Sequence, residues 1–144
     1  MGANCQMVLT AFYNEEAVSL LDSQFRDYPI LASQIVQDQG ARTVIVPFLA
    51  PNWTFPTPLR EIFVGSALES IVWLLEVHSV DSMSIRHSES TELTEFELGS
   101  IRLIPPSTIR IEAHFILTVL IEYSELNVRF YKTGGGMPGL SKHS

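Results

Sequence analysis

The stretch from Ile109 to Tyr123 constrains the fold more than any other part of the sequence, because apolar and polar positions alternate along it. Every odd-numbered position is apolar or aromatic, whereas most of the even-numbered positions are polar or charged. A repeat of two residues is typical of a β-strand that buries one face in a core. The pattern predicts one long strand near residues 108–123 and a fold built on a sheet.

The more polar face of this predicted strand has an apolar middle, formed by Ile116 and Leu120. A strand of this length would span about 53 Å, which exceeds the usual strand, so we expect it to bend, to bulge or to extend beyond its own domain. The apolar middle then needs cover from a helix or from a neighbouring subunit. Ile116 and Leu120 are therefore candidate interaction residues.

The N-terminal forty residues carry helix signals. Asn14 precedes two glutamates, which is typical of a helix start, and apolar residues follow at near-helical spacing. Pro29 and Gly40 suit the first turn and the end of a second helix. We therefore expect two N-terminal helices that pack against the rest of the domain.

The remaining sequence predicts strands and short breaks between them. We expect Leu126–Lys132 to pair back on the long strand as a hairpin. The other predicted strands are Thr43–Leu49, Ser70–Val80, Ser82–His87, Thr94–Leu98 and Ser100–Ile104. Over residues 59–80 the apolar spacing also fits a helix, and we favour a strand from Ser70. The predicted fold class is α+β, with N-terminal helices packed on a mostly antiparallel β-sheet. We expect a single domain over 1–133 and a Gly-rich C-terminal tail over 134–144.

Length and charge restrict the class of protein. A chain of 144 residues suits one domain, and its net charge of −7 disfavours a nucleic-acid binder that depends on phosphate contacts. The single cysteine, Cys5, cannot form an internal disulfide. The chain has no apolar run long enough to span a membrane, while peripheral contact with a membrane surface stays open.

The N-terminal sequence bears on localisation. Its first cation is Arg26, so the positive region of a secretory signal is missing, and we expect an intracellular protein or a component of a virion. The start resembles a myristoylation site except that Gln6 stands in place of serine or threonine. Lipidation of Gly2 or Cys5 is the minor alternative.

Charge is unevenly distributed along the chain. The segment from Glu61 to Glu97 contains eight acidic residues and one basic residue, whereas the segment from Leu98 onward contains five basic and three acidic residues. The simplest interpretation is a solvated acidic segment. The alternative is an interaction surface, for which the candidates are Glu89, Glu92, Glu95 and Glu97. Complementary charges on two copies of the chain would favour head-to-tail contacts.

A proline-rich segment supplies two more candidates for interaction. Residues 50–58 contain three prolines together with Trp53 and Phe55. These aromatic side chains either cover the core of their own domain or anchor a partner.

No motif of the sequence points to catalysis. The four histidines lack a familiar metal-ligand spacing, and no nucleophile motif or phosphate-binding loop is present. We expect no catalytic residues, no metal site and no cofactor.

These observations lead to three functional hypotheses. The first is a non-enzymatic structural or assembly protein that self-associates, such as a small viral or phage particle component. The alternative is an acidic binder or inhibitor of a basic protein partner, in an immunity-like role. The third is a binder of small hydrophobic ligands or an enzyme. The expected partner is accordingly a second copy of the chain or another protein.

Overall fold

A computed structural model describes residues 11–51, 70–87, 95–113 and 117–133. These ranges form eleven strands, one α-helix and one short 3₁₀ turn, Ala32–Gln34. The helix is α1 (Asn14–Gln24). The strands are β1 (Ala11–Tyr13), β2 (Pro29–Leu31), β3 (Val36–Asp38), β4 (Thr43–Pro51), β5 (Ser70–Val77), β6 (Val80–His87), β7 (Glu95–Glu97), β8 (Ser100–Ile104), β9 (Thr108–Ala113), β10 (Leu117–Tyr123) and β11 (Val128–Lys132). All strand pairs within these ranges are antiparallel, which confirms the mostly antiparallel sheet.

The strands form two sheets. The first has the order β6–β10–β9–β8, and the second has the order β1–β11–β5–β4–β2–β7, with β3 also paired to β4. The buried side chains of both sheets belong to one hydrophobic cluster. Each sheet therefore turns one face towards a shared core, and burial of that apolar surface stabilises the fold.

The prediction of one long strand over residues 108–123 is wrong in its topology, although the alternation itself is real. The stretch contains two antiparallel strands, β9 and β10, with Ile109 opposite Ile121 and Ile111 opposite Val119. In this register an odd-numbered residue of β9 always lies opposite an odd-numbered residue of β10, and opposite residues point to the same face. The odd positions of both strands therefore share one face. These odd positions are buried, as the alternation predicts. Residues 114–116 lie outside the described residues.

The predicted hairpin between the long strand and Leu126–Lys132 is also wrong. Strand β11 pairs with β5 and β1 in the seven-stranded sheet, whereas β10 belongs to the other sheet. The chain changes sheets after β10 and again between β5 and β6. These two connections bond to each other, because the amide of His78 donates to the carbonyl of Asn127 at 2.8 Å and that of Ser124 to Ser79 at 2.9 Å.

Only the first of the two predicted N-terminal helices forms. Helix α1 buries Ala17, Val18 and Leu21, and it packs against β8 of one sheet and β11 of the other. The second predicted helix, from Pro29 to Gly40, is instead β2, the 3₁₀ turn and β3. Ile30 pairs with Phe48 on one side and Phe96 on the other, so sheet pairing and burial override the local helix signals.

Aromatic side chains fill the core beside α1. The ring of Phe25 lies 5.1 Å from that of Trp73 and 4.9 Å from that of Phe130, in edge-to-face geometry. All three side chains are fully buried. The indole N–H of Trp73 donates to the carbonyl of Pro51 at 3.3 Å, which satisfies its one polar group. This part of the interior is packed with rings.

Candidate functional site

The face of the four-stranded sheet that turns away from the core is the first candidate site, and we call it the outer face. The pairing of the four strands places twelve residues on this face, three from each strand. They are Ser82, Ser84, Arg86, Ser100, Arg102, Ile104, Thr108, Arg110, Glu112, Thr118, Leu120 and Glu122. The opposite face packs against the core and is mostly buried, with Met83, Ile85 and Leu103 partly buried at its edges, so the outer face is the broad solvent-exposed surface of this sheet.

Leu120 lies in the interior of the outer face. It is paired with Arg110 on one neighbouring strand and Ser84 on the other, and its side chain is only partly buried. Ile104, at the end of β8, is 37% exposed. The outer face thus combines apolar side chains with polar neighbours, as protein interfaces do.

The arginines of the outer face stand out in an acidic chain. The face carries three arginines and two glutamates, whereas the whole chain has 16 acidic residues and 9 lysines and arginines. Arg110 forms an ion pair with Glu112. Arg86 and Arg102 are exposed, and neither has an acidic partner within the described residues. Both guanidinium groups therefore remain available to a partner.

A shallow depression of about 270 Å³ lies elsewhere on the surface, where the turn between β3 and β4 meets the start of β6. Arg42 dominates it: its guanidinium lies 2.6 Å from the Asp81 carboxylate and 3.1 Å from the Ser124 hydroxyl, and it donates to the Val80 carbonyl at 3.3 Å. These bonds join the turn to β6. The guanidinium of Arg42 is therefore occupied by hydrogen bonds within the fold, and its role is structural.

A polar cluster on the second face of the seven-stranded sheet links Tyr131, Glu76, His78 and Thr43. The Tyr131 hydroxyl donates to one oxygen of Glu76, and Nε2 of His78 lies 3.3 Å from the other. Nδ1 of His78 lies 3.2 Å from the Thr43 hydroxyl. Four side chains from β4, β5, β11 and the residue after β5 therefore form one chain of hydrogen bonds.

The environment of this polar cluster changes the acidity of the tyrosine. Burial, followed by the hydrogen bond to Glu76 and the charge of that carboxylate, raises the pKa of Tyr131 to about 12. The guanidinium of Arg129 lies over the tyrosine ring at 4.0 Å and acts in the opposite direction. The raised pKa keeps the phenol protonated, and able to donate to Glu76, further into the alkaline range than an ordinary tyrosine. Within the described residues no group of three histidine, cysteine, aspartate or glutamate side chains could hold a metal ion.

The candidate residues from the sequence fall into different places. Leu120 lies on the outer face, as a partly exposed residue of β10. Glu95 and Glu97 begin and end β7 at the end of the other sheet, where Glu97 is exposed. The structure therefore does not bring these glutamates next to Leu120. The remaining candidates lie outside the described residues: Trp53, Phe55, Glu89, Glu92 and Ile116.

The sequence pattern did not predict the polar cluster or the arginine pair of the outer face. Alternation places Glu76 and His78 on one face of their strand, which is a partial signal. Nothing in the sequence indicates that Tyr131 pairs beside them, because that contact depends on the order of strands in the sheet. The opposition of Arg102 and Arg110 depends in the same way on the register of β8 and β9.

Comparison of the chain with protein-family models, with curated proteins and with solved structures gave no match. Among the described residues, no helix has the length and apolar character needed to cross a membrane.

Proposed function

We propose that the protein is a non-enzymatic structural or assembly protein that associates with further copies of itself through the outer face. The observation that carries this proposal is the position of Leu120, a partly exposed leucine paired with Arg110 in the interior of a solvent-facing sheet. Apolar centres with arginine beside them are typical of protein interfaces. A small particle-forming subunit, for example of a virus or phage, needs this kind of surface.

Charge complementarity favours a second copy as the partner. The outer face contributes Arg86 and Arg102 without acidic partners in the described part of the chain, while the chain as a whole carries a net charge of −7. Exposed acids elsewhere include Glu15, Glu16 and Glu125. Acidic surface on one copy can therefore approach arginines on another, and such contacts set orientation and weaken with salt.

The test is the oligomeric state of the purified protein over a range of concentrations, measured by sedimentation velocity or by light scattering after size-exclusion chromatography. We expect concentration-dependent association that added salt weakens. Leu120→Asp should shift the equilibrium towards monomer. The matched control is Tyr13→Ser, which removes another exposed apolar side chain, 56% exposed, from the other sheet.

Two outcomes contradict the proposal. One is a monomer at every concentration tested, at low and at high salt. The other is association that Tyr13→Ser weakens as strongly as Leu120→Asp, since the contact would then not depend on the outer face. Thermal unfolding of both variants establishes that each remains folded.

A further inference from the structure

Strand β6 is an open edge of the four-stranded sheet. Its register pairs it with β10, and no described strand lies along its other side. At its start, the Val80 amide donates to the Arg42 carbonyl at 2.9 Å, and the Arg42 guanidinium donates back to the Val80 carbonyl. From Ser82 to His87 the outer backbone groups have no partner strand in the described ranges. Such groups form a template for another strand.

The side chains of β6 leave its middle unprotected against pairing. Proteins block edge strands with charges, prolines or bulges. Here the register shift lies at the start of the strand, opposite Tyr123, and the charged residues are Asp81 and Arg86. The residues between them are two serines, together with Met83 and Ile85. Met83 and Ile85 are partly buried and pack against the rim of the core.

We propose that β6 pairs in antiparallel fashion with β6 of a second copy, across a two-fold axis that passes through Ser84. The two four-stranded sheets then form one continuous sheet of eight strands. This inference rests on the proposed self-association and adds a second contact, at the sheet edge, to the contact through the outer face. It buries the apolar rim at Met83 and Ile85 and joins the outer faces of the two copies side by side.

The register follows from symmetry and from the side chains. A two-fold axis normal to the sheet keeps the outer faces on one side, so paired residues must be both odd or both even. With the axis at Ser84, Met83 of each copy lies opposite Ile85 of the other, which gives two apolar pairs. Ser82 then lies opposite Arg86, which keeps the two Arg86 side chains apart.

Neighbouring registers are worse. An axis at Met83 places the carboxylate of Asp81, which pairs with Arg42 of its own chain, opposite the apolar Ile85, where it would lose water without gaining a polar partner from the second copy. An axis at Ile85 moves Met83 opposite His87 and replaces the two Met83–Ile85 pairs with one Ile85–Ile85 pair. Of these three registers, only the axis at Ser84 pairs Met83 and Ile85 each with an apolar side chain.

Disulfide trapping tests the register directly, in a Cys5→Ser background so that the introduced cysteine is the only one. Ser84→Cys places two identical residues opposite each other on the axis, at a Cα separation of about 4.5–5.5 Å that a disulfide can bridge. Ser82→Cys is the matched control. Its two copies would lie four residues apart along the strands, about 13 Å, beyond the reach of a disulfide. Both serines are exposed on the outer face, so neither change disturbs the core.

We expect the Ser84→Cys protein to form a covalent dimer under mild oxidation at least about tenfold faster than the Ser82→Cys protein. If the protein associates but both variants cross-link equally, or neither does, the β6 contact is wrong and self-association stands. If the protein is monomeric under all conditions, the proposed function itself fails. Circular dichroism of both variants shows whether they are folded.

Discussion

Arg102 and Arg110 lie directly opposite each other on neighbouring strands, with both side chains exposed on the outer face. Like charges in this arrangement oppose sheet pairing. Arg110 relieves part of the repulsion through Glu112, whereas Arg102 has no acidic partner among the described residues. An isolated subunit thus retains an unfavourable contact that an acidic group from a second copy would neutralise.

This arrangement gives stability and association opposite responses to one substitution. We expect Arg102→Glu to raise the free energy of unfolding of the monomer by about 0.2–1 kcal/mol, because it turns a repulsive pair into an attractive one. The same change should weaken self-association. Denaturant unfolding at low protein concentration and low salt measures the first effect, and sedimentation measures the second. Arg86→Glu is the control for stability, since Arg86 lies opposite Thr118; an equal gain in that variant would contradict the prediction.

The start of α1 provides a second prediction. Asn14 has a φ of 54°, and its side-chain carbonyl accepts a hydrogen bond from the Val128 amide at 2.8 Å. We expect Asn14→Ala to cost about 2–4 kcal/mol, from the lost acceptor and from the left-handed backbone. Asn14→Gly loses the acceptor alone and should cost about 1 kcal/mol less. Denaturant unfolding of both variants separates the cost of the lost hydrogen bond from the cost of the left-handed backbone. Equal losses of stability in the two variants would show that the backbone at Asn14 carries no strain.

The strand content could be predicted from the sequence, whereas the connections between strands could not. Alternation identifies β9 and β10 correctly as extended and buries the correct face. It cannot distinguish one long strand from a hairpin, because Ile109 opposite Ile121 keeps both strands in phase. Similarly, no local sequence pattern indicates that β11 belongs to a different sheet from β10, because the sheet that β11 joins depends on its pairing with the distant strands β1 and β5.

Local signals also failed where tertiary contacts were stronger. Asn14 begins α1 as expected, but its side chain bonds to β11 instead of capping the helix. Ile30 fits a helical stripe by its spacing, yet it is fully buried between Phe48 and Phe96 as part of a sheet. Of the candidate site, Leu120 could be predicted from its strand alone, while Arg102 and Tyr131 required the strand order.

The link between α1 and the four-stranded sheet provides a third prediction. A carboxylate oxygen of Asp22 accepts from the amide of the buried Ile101 at 3.1 Å. Asp22→Ala leaves that amide without its acceptor, so we expect a loss of about 1–3 kcal/mol in the free energy of unfolding. Ser19→Ala, at an exposed position of the same helix, should change stability by less than about 0.5 kcal/mol. Equal effects in the two variants would show that the hydrogen bond from the Ile101 amide to Asp22 contributes nothing to stability.

Tyr131 makes stability depend on pH in the alkaline range. Its pKa rises from 10.0 to about 12 on folding, so between these values the unfolded chain loses the phenolic proton first and is stabilised by ionisation. The contribution of Tyr131 to stability is therefore complete below pH 10 and is lost as the pH rises through 12. We expect the free energy of unfolding of Tyr131→Phe to fall less steeply over this range. Burial also raises the pKa of Tyr28, so both proteins keep some slope and the difference between them is the measurement. Parallel curves would show that the hydroxyl of Tyr131 is not held in its protonated form by Glu76 and burial.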